Sequence, residues 1–397
     1  MSKELPELLA PAGCLERLKI AISYGADAVY LGGQKFGLRS AAENFTFKEI
    51  EQGVTFAHKS SRKVYVVLNS FLHDNELAEL PEFLRAIENI GVDAVICSDP
   101  GVVKTVKEFT KLEIHLSTQA SCNNAFSARF WKDLGVARVI LGRECSILEA
   151  AKIKEQAQID VEIFVHGSMC IAYSGNCIIS NFTAGRDSNR GGCAQSCRFE
   201  YAIKSHSEAF SKNSFFLSSK DLLGIDHIES IIKNKISSVK IEGRMKSALY
   251  LGTVVKTYRA ALDSCASDCE ANQEMLLCLK KELYKVTHRE YCDGNLVKVA
   301  GPDSVSADRE SEEMNYGMVG VVIDTTSKDT FLIEVRGVFK RGDLLEVIPF
   351  VGEPILVGSD QAVGPFGEEI VKFSPSSLVK LPKVAGIEKL NIVRIKL

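Results

Sequence analysis

No apolar run in this 397-residue chain approaches the roughly 20 residues that a bilayer-spanning helix needs, and the start, Met1-Ser-Lys-Glu-Leu-Pro-Glu7, carries no hydrophobic leader core. Those absences set aside integral membrane and secreted classes and lead to the expectation of a soluble, cytoplasmic protein. Charge of one sign is missing too. With 48 basic against 51 acidic residues the net charge is −3, so no chain-wide field draws a polyanion and contact with nucleic acid has to come from local patches. Neither a Gly-x-Ser-x-Gly elbow nor a His-Glu-x-x-His helix occurs, which removes two hydrolase signatures. What is present is a globular composition, 46% hydrophobic and 25% charged, long enough at about 150 residues per domain for two or three domains.

The first 260 or so residues repeat one pattern: a helix-period stretch, a glycine stop, then a short β-branched run. Segments 8–13, 28–33, 64–70, 94–100, 113–119, 138–144, 161–167 and 238–244 read as buried strands, with amphipathic helices over 15–24, 76–90, 125–134 and 147–156 between them. Glycines at 25, 91 and 135 sit where a helix C-cap leads into the next strand. Eight strands alternating with helices predict an α/β fold, a (β/α)8 TIM-like barrel over 1–264. The alternation fails over 168–214, a long insert. A helical connection and polar linker is expected over 265–315, and over 316–397 the period changes to two, as in a small C-terminal β-barrel or sandwich with strands near 318–323, 330–335, 344–348, 355–357 and 391–396.

A parallel barrel carries its chemistry at the strand ends. Here these are Asn69, Ser70, Asp99, Ser117, Thr118, Gln119, Arg143, Glu144, His166, Glu242 and Arg244. Many residues of this kind only cap loops.

Twelve cysteines are too few for a disulfide scaffold of this length, so their spacing has to be read. Four lie in the insert, Cys170, Cys177, Cys193 and Cys197, in the pattern C-x6-C-x15-C-x3-C among glycines that let backbone fold tightly. Three readings compete. Structural zinc prefers paired short knuckles, which Cys193 and Cys197 could form but Cys170 and Cys177 could not; ordinary buried thiols would not concentrate in one loop; an iron-sulfur cluster accepts irregular spacing. The other eight, Cys14, Cys97, Cys122, Cys145, Cys265, Cys269, Cys278 and Cys292, read as small hydrophobes.

The stretch Glu162-Ile-Phe-Val-His-Gly-Ser-Met-Cys170-Ile-Ala-Tyr-Ser-Gly-Asn-Cys177, with Arg190-Gly-Gly-Cys-Ala-Gln-Ser-Cys-Arg198, Ser218-Ser-Lys-Asp-Leu222, Val239-Lys-Ile-Glu-Gly-Arg-Met-Lys-Ser247 and Thr287-His-Arg-Glu-Tyr291, closely resembles the collagenase-like peptidase family U-thirty-two, and within it the branch that hydroxylates tRNA. The resemblance covers nearly the whole chain. It implies a 4Fe-4S cluster on Cys170, Cys177, Cys193 and Cys197; where some members place a cysteine after Ser-Lys-Asp-Leu, this chain has Leu223, which makes Cys197 the natural fourth ligand. It also implies hydroxylation of the wobble uridine to 5-hydroxyuridine, a tRNA anticodon loop as partner, and prephenate, a small dicarboxylate, as the source linked to the hydroxyl. Such work suits a cofactor capable of electron chemistry, cations for carboxylates, and a surface for unstacked bases.

Glu242, Arg244 and His166 are the candidate catalytic residues, with Glu242 either a proton acceptor or the salt-bridge partner of its neighbours. Arg39, Asn69, Gln119, Arg143, Arg186, Arg190 and Lys246 are candidates for substrate binding, and Tyr173, Phe182 and Tyr201, interleaved with Arg186, Arg190 and Arg198, for base stacking. The rival readings are a peptidase, with His166-Gly-Ser168 placed awkwardly beside a cysteine, and a non-catalytic cluster-bearing partner of another enzyme. A protein partner or a homo-oligomer is compatible with either.

Overall fold

The computed structural model describes residues 5–38, 44–204, 211–266, 273–306 and 315–397. Seven parallel strands follow one another in sequence and in space: β1 Glu7–Pro11, β2 Ala28–Gly32, β3 Lys63–Leu68, β4 Ala94–Cys97, β5 Glu113–Leu116, β6 Arg138–Ile140 and β7 Asp160–Ser168. The insert and its return supply β8 Tyr201–Lys204 and β9 Ser211–Ser214, a hairpin, and β10 Asp221–Leu223. Strand β11, Ser238–Ile241, is the eighth stave. It pairs in parallel with both β1 and β7 and closes the ring, so all eight predicted strands are present and the fold is a TIM-like barrel. Local chemistry sets the joints. Ser146 and Glu149 cap each other at the start of the helix Ile147–Ala157, Asp99 caps Pro100–Phe109, and Gly91 ends Leu80–Ile90 in the left-handed conformation.

β10 runs antiparallel to the far end of β7, pairing Asp221 with Ser168 and Leu223 with His166, and β12 Tyr291–Cys292 lies beside it. The last strands are β13 Tyr316–Asp324, β14 Thr330–Val335, β15 Phe339–Lys340, β16 Leu344–Ile348, β17 Ile355–Gly358, β18 Lys372–Phe373, β19 Leu378–Pro382 and β20 Ile392–Lys396. Six of them form an antiparallel sheet in the order β17-β16-β20-β13-β14-β19, broken in register on both sides of β13, a half-barrel with its own apolar core around Phe331, Val347 and Val393.

This half-barrel packs on the barrel's outer helices. The Tyr24 hydroxyl, at the end of the helix Leu15–Ser23, donates to the carbonyl of Ile348 (2.7 Å) and accepts from the amide of Ile392 (2.9 Å), with Phe350 edge-on to its ring. Arg394, fully buried, bridges Glu282 (2.9 Å) on the helix Gln273–Leu283 and Glu346 (2.7 Å). Tyr24→Phe strands two buried backbone groups and should cost about 1–3 kcal/mol in urea unfolding, with both domains unfolding at lower denaturant; no shift in the midpoint would mean that the seam contributes nothing.

Candidate active site and cysteine-bearing cap

Side chains of a barrel strand alternate between the interior and the helix layer. Deep in the barrel a buried ionic network results. Glu162 is fully buried and holds Lys240 (2.9 Å) and Arg138 (3.3 Å), and Arg138 also reaches Glu7 (2.5 Å). Burial alone would raise the Glu162 carboxyl, but Lys240, Arg138 and His115 outweigh it and hold it below the ordinary range. Lys240 lies over the Tyr30 ring at 4.3 Å.

Above this layer, at the C-terminal mouth, Arg143 stacks on Phe164 (3.9 Å to the ring centre) and pairs with Glu242 at 3.6 Å. Both are mostly sheltered, 11% and 16% exposed, so the sequence candidates Arg143 and Glu242 meet as one cation–carboxylate pair. Across the mouth, Asn69 accepts from the amide of Leu38 and donates to Ser117. Arg244 is buried and donates to Asn44 (3.0 Å); its guanidinium occupies the space above Gly32, 2.8 Å from where a Cβ would stand. Lys246 points elsewhere, donating to the carbonyl of Thr287 (2.9 Å) beside the Tyr250 ring. Arg39 lies outside the described residues.

His166 is placed behind the barrel wall. The register against β11 shifts after Lys240, which pairs with Phe164, so that Ile241 pairs with His166 and Val165 is bulged. The bulge turns the imidazole toward the helix Ala248–Ala266, among Tyr250, Tyr258 and Tyr291. Burial, with the charges of Lys246 and His288, drives it down to about 3, so it is neutral at physiological pH, and among the described residues its Nε2 has no hydrogen-bond partner.

The insert spans the mouth as a cap anchored on four strand ends. After β3, Phe71 bonds Asn189 and Glu76 pairs with Arg190 (2.9 Å). After β5, Ser121 donates to the carbonyl of Ser174, and Gly175, in the left-handed region, lies so close to the carbonyl of Gln119 that no Cβ would fit. After β6, Glu144 accepts from the amide and hydroxyl of Ser174 (2.8 and 3.2 Å). After β7, Arg198 donates to the carbonyl of Met169 and, at the turn before β10, to that of Ser219. Thus Gln119 and Arg190 serve as cap anchors, whereas Arg186 is exposed. Tyr173, Phe182 and Phe199 also expose their rings, while Tyr201 bonds the carbonyl of Ser196. The sequence marks Glu144 as a strand end but not its grip on Ser174, and it marks Arg198 only as a neighbour of aromatics.

The cap carries all four insert cysteines. Burial pushes the Cys197 thiol up, Arg198 draws it down, and Cys170, Cys193 and Cys177 all lie within its electrostatic reach. Among the described residues no three His, Cys, Asp or Glu side chains are grouped as for one metal ion. A cube of irons and sulfides holds its thiolates farther apart than a single ion does, and an all-thiol set in which Cys197 lies within electrostatic reach of the other three is compatible with that wider spacing. Elsewhere burial raises Cys97 and Cys145 to about 12 and Cys122 to about 11, as for inert core thiols. Cys269 lies outside the described residues. No helix among the described residues is long and apolar enough to cross a membrane.

The protein is thus a (β/α)8 barrel roofed at its mouth by a cysteine-bearing insert. The model of peptidase family U32 matches residues 13–306, which include the whole insert. The chain belongs to that family. It is 42% identical over 356 residues to tRNA hydroxylation protein P1 of Bacillus subtilis (86% of this chain, 83% of the relative) and 32% identical over an alignment of 398 residues to tRNA hydroxylation protein P of Escherichia coli (86% of each). A collagenase of Porphyromonas gingivalis is 30% identical over 303 residues (72% of each).

Proposed function

We propose that this chain is an enzyme that hydroxylates RNA, with C5 of the wobble uridine of tRNA as target and 5-hydroxyuridine as product. The observation that carries the reading is the 42% identity to a tRNA hydroxylation protein over 86% of the chain. The cofactor of this reading is an iron-sulfur cluster, most simply 4Fe-4S, held by Cys170, Cys177, Cys193 and Cys197. When bound it would supply the one-electron chemistry that side chains lack. The chain's own residues do the rest. Arg143, fixed over Phe164, offers a cation to a carboxylate or phosphate, with Arg244 as a second. Glu242 is the base available for the C5 proton, its charge held by Arg143 until substrate enters. His166, walled in and neutral, supports the mouth from behind. Prephenate is the proposed dicarboxylate co-substrate, and the anticodon loop the partner, reading the exposed rings of the cap. The setting of this reading is the cytoplasm, where tRNA is.

Nucleoside mass spectrometry of tRNA from a deletion strain tests it. 5-Hydroxyuridine should fall at least tenfold, and an unchanged level refutes the reading. The collagenase relative favours peptidase as a second reading; hydrolysis of gelatin or casein by the iron-loaded chain, lost in Cys193→Ser, would support it.

A further inference from the structure

We infer that Arg198 is a positioning residue for the cysteine centre, stapling the chain at Cys197 to the chain at Cys170 and setting the charge that the thiolates meet. The inference rests on the cofactor reading above. Arg198 follows Cys197 directly, and its guanidinium donates to the carbonyl of Met169, the residue before Cys170. The same fork bonds the Ser219 carbonyl and the Ser218 hydroxyl (3.4 Å). One side chain therefore ties together the end of β7, the last cysteine and the turn leading into β10, three segments far apart in sequence. A lysine could supply the charge but not the fork that reaches two carbonyls on different segments.

The local charge is unbalanced. Arg289 donates to the same Ser219 carbonyl (3.1 Å) and faces Asp221 (3.4 Å). Arg198 and Arg289 lie within reach of each other, and Arg198 within reach of Cys170 and Cys197; Lys246 adds a third cation near Asp221. Among the described residues Asp221, buried, is the carboxylate these cations share. Sheltered guanidiniums repel and are costly to bury without anions. A four-thiolate centre carries the net negative charge that would offset them, and these cations would in turn favour addition of an electron to it.

Arg198→Met, Arg198→Lys and Arg289→Met, purified and reconstituted anaerobically with iron and sulfide, separate the two roles. Arg198→Met should retain at least twofold less iron after gel filtration, and its remaining centres should titrate at a lower midpoint potential by electron paramagnetic resonance. Arg198→Lys should recover the potential but not the retention. Arg289→Met, which leaves the Met169 bond in place, should keep its iron and still titrate lower, and it reads the charge role even if Arg198→Met fails to fold. Wild-type iron content and potential in Arg198→Met, or an unmoved potential in Arg289→Met, overturns the inference. A wild-type chain that takes up no iron or sulfide sinks the cofactor reading itself and this inference with it.

Discussion

Serine at Cys170 or at Cys193 should leave the anaerobically purified chain colourless, with iron per chain lowered about tenfold or more, where wild type should be brown. Serine is close in size but a hard, weakly acidic donor, so each replacement removes one thiolate without disturbing packing. The positions allow this. Cys170 is exposed and Cys193 half-buried, so neither fills the core, and far-ultraviolet circular dichroism should be unchanged. Cys122→Ser and Cys145→Ser are the controls, since these two thiols are buried in the barrel core and kept protonated; they should keep the colour while losing some stability. Stoichiometric zinc in a colourless wild type would contradict the assignment.

The largest effect on stability is expected from Glu162→Gln. The carboxylate neutralises Lys240 and Arg138 inside the barrel, and an amide removes the carboxylate bonded to Lys240 and leaves Arg138 to Glu7 alone. Removing one partner of a buried ion network costs about 3–5 kcal/mol, visible as a lower midpoint in urea unfolding at pH 7. The pH dependence has a definite sign. The folded-state pKa of Glu162 lies below its unfolded value of about 4.3, so its contribution is fully present above that value and is lost as pH falls through the folded value. The gap between wild type and Glu162→Gln should therefore be full at pH 7 and narrow below about pH 4. Equal stabilities at pH 7 would mean that the network is idle. Because Lys240 also lies 5.7 Å from the Phe164 ring that carries Arg143, the variant should weaken the mouth as well.

Much of this was legible in the chain. The eight staves show because each is a short buried apolar run, and three of them, β2, β4 and β6, follow a helix-ending glycine at 25, 91 or 135. Strands β15 and β18, two residues each, have no period to read, and the pairing of β19 with β14 is decided by tertiary contact. His166 shows where pattern reading stops. It stands two residues beyond the inward-facing Phe164, so unbroken alternation aims it into the mouth; the single bulge at Val165 turns it to the helix layer, and nothing in Phe-Val-His-Gly announces a bulge. The four insert cysteines were legible by their concentration. Their anchors were not, because Glu144–Ser174 and Arg198–Met169 join segments about thirty residues apart through irregular backbone.

If the capped barrel modifies tRNA through its cysteine insert, the modified nucleoside depends on those cysteines. The most direct measurement is the 5-hydroxyuridine content of tRNA from a deletion strain carrying either the wild-type chain or Cys193→Ser at matched expression. Wild type should restore the nucleoside and the variant should not. Restoration by both chains, or by neither, would contradict this expectation.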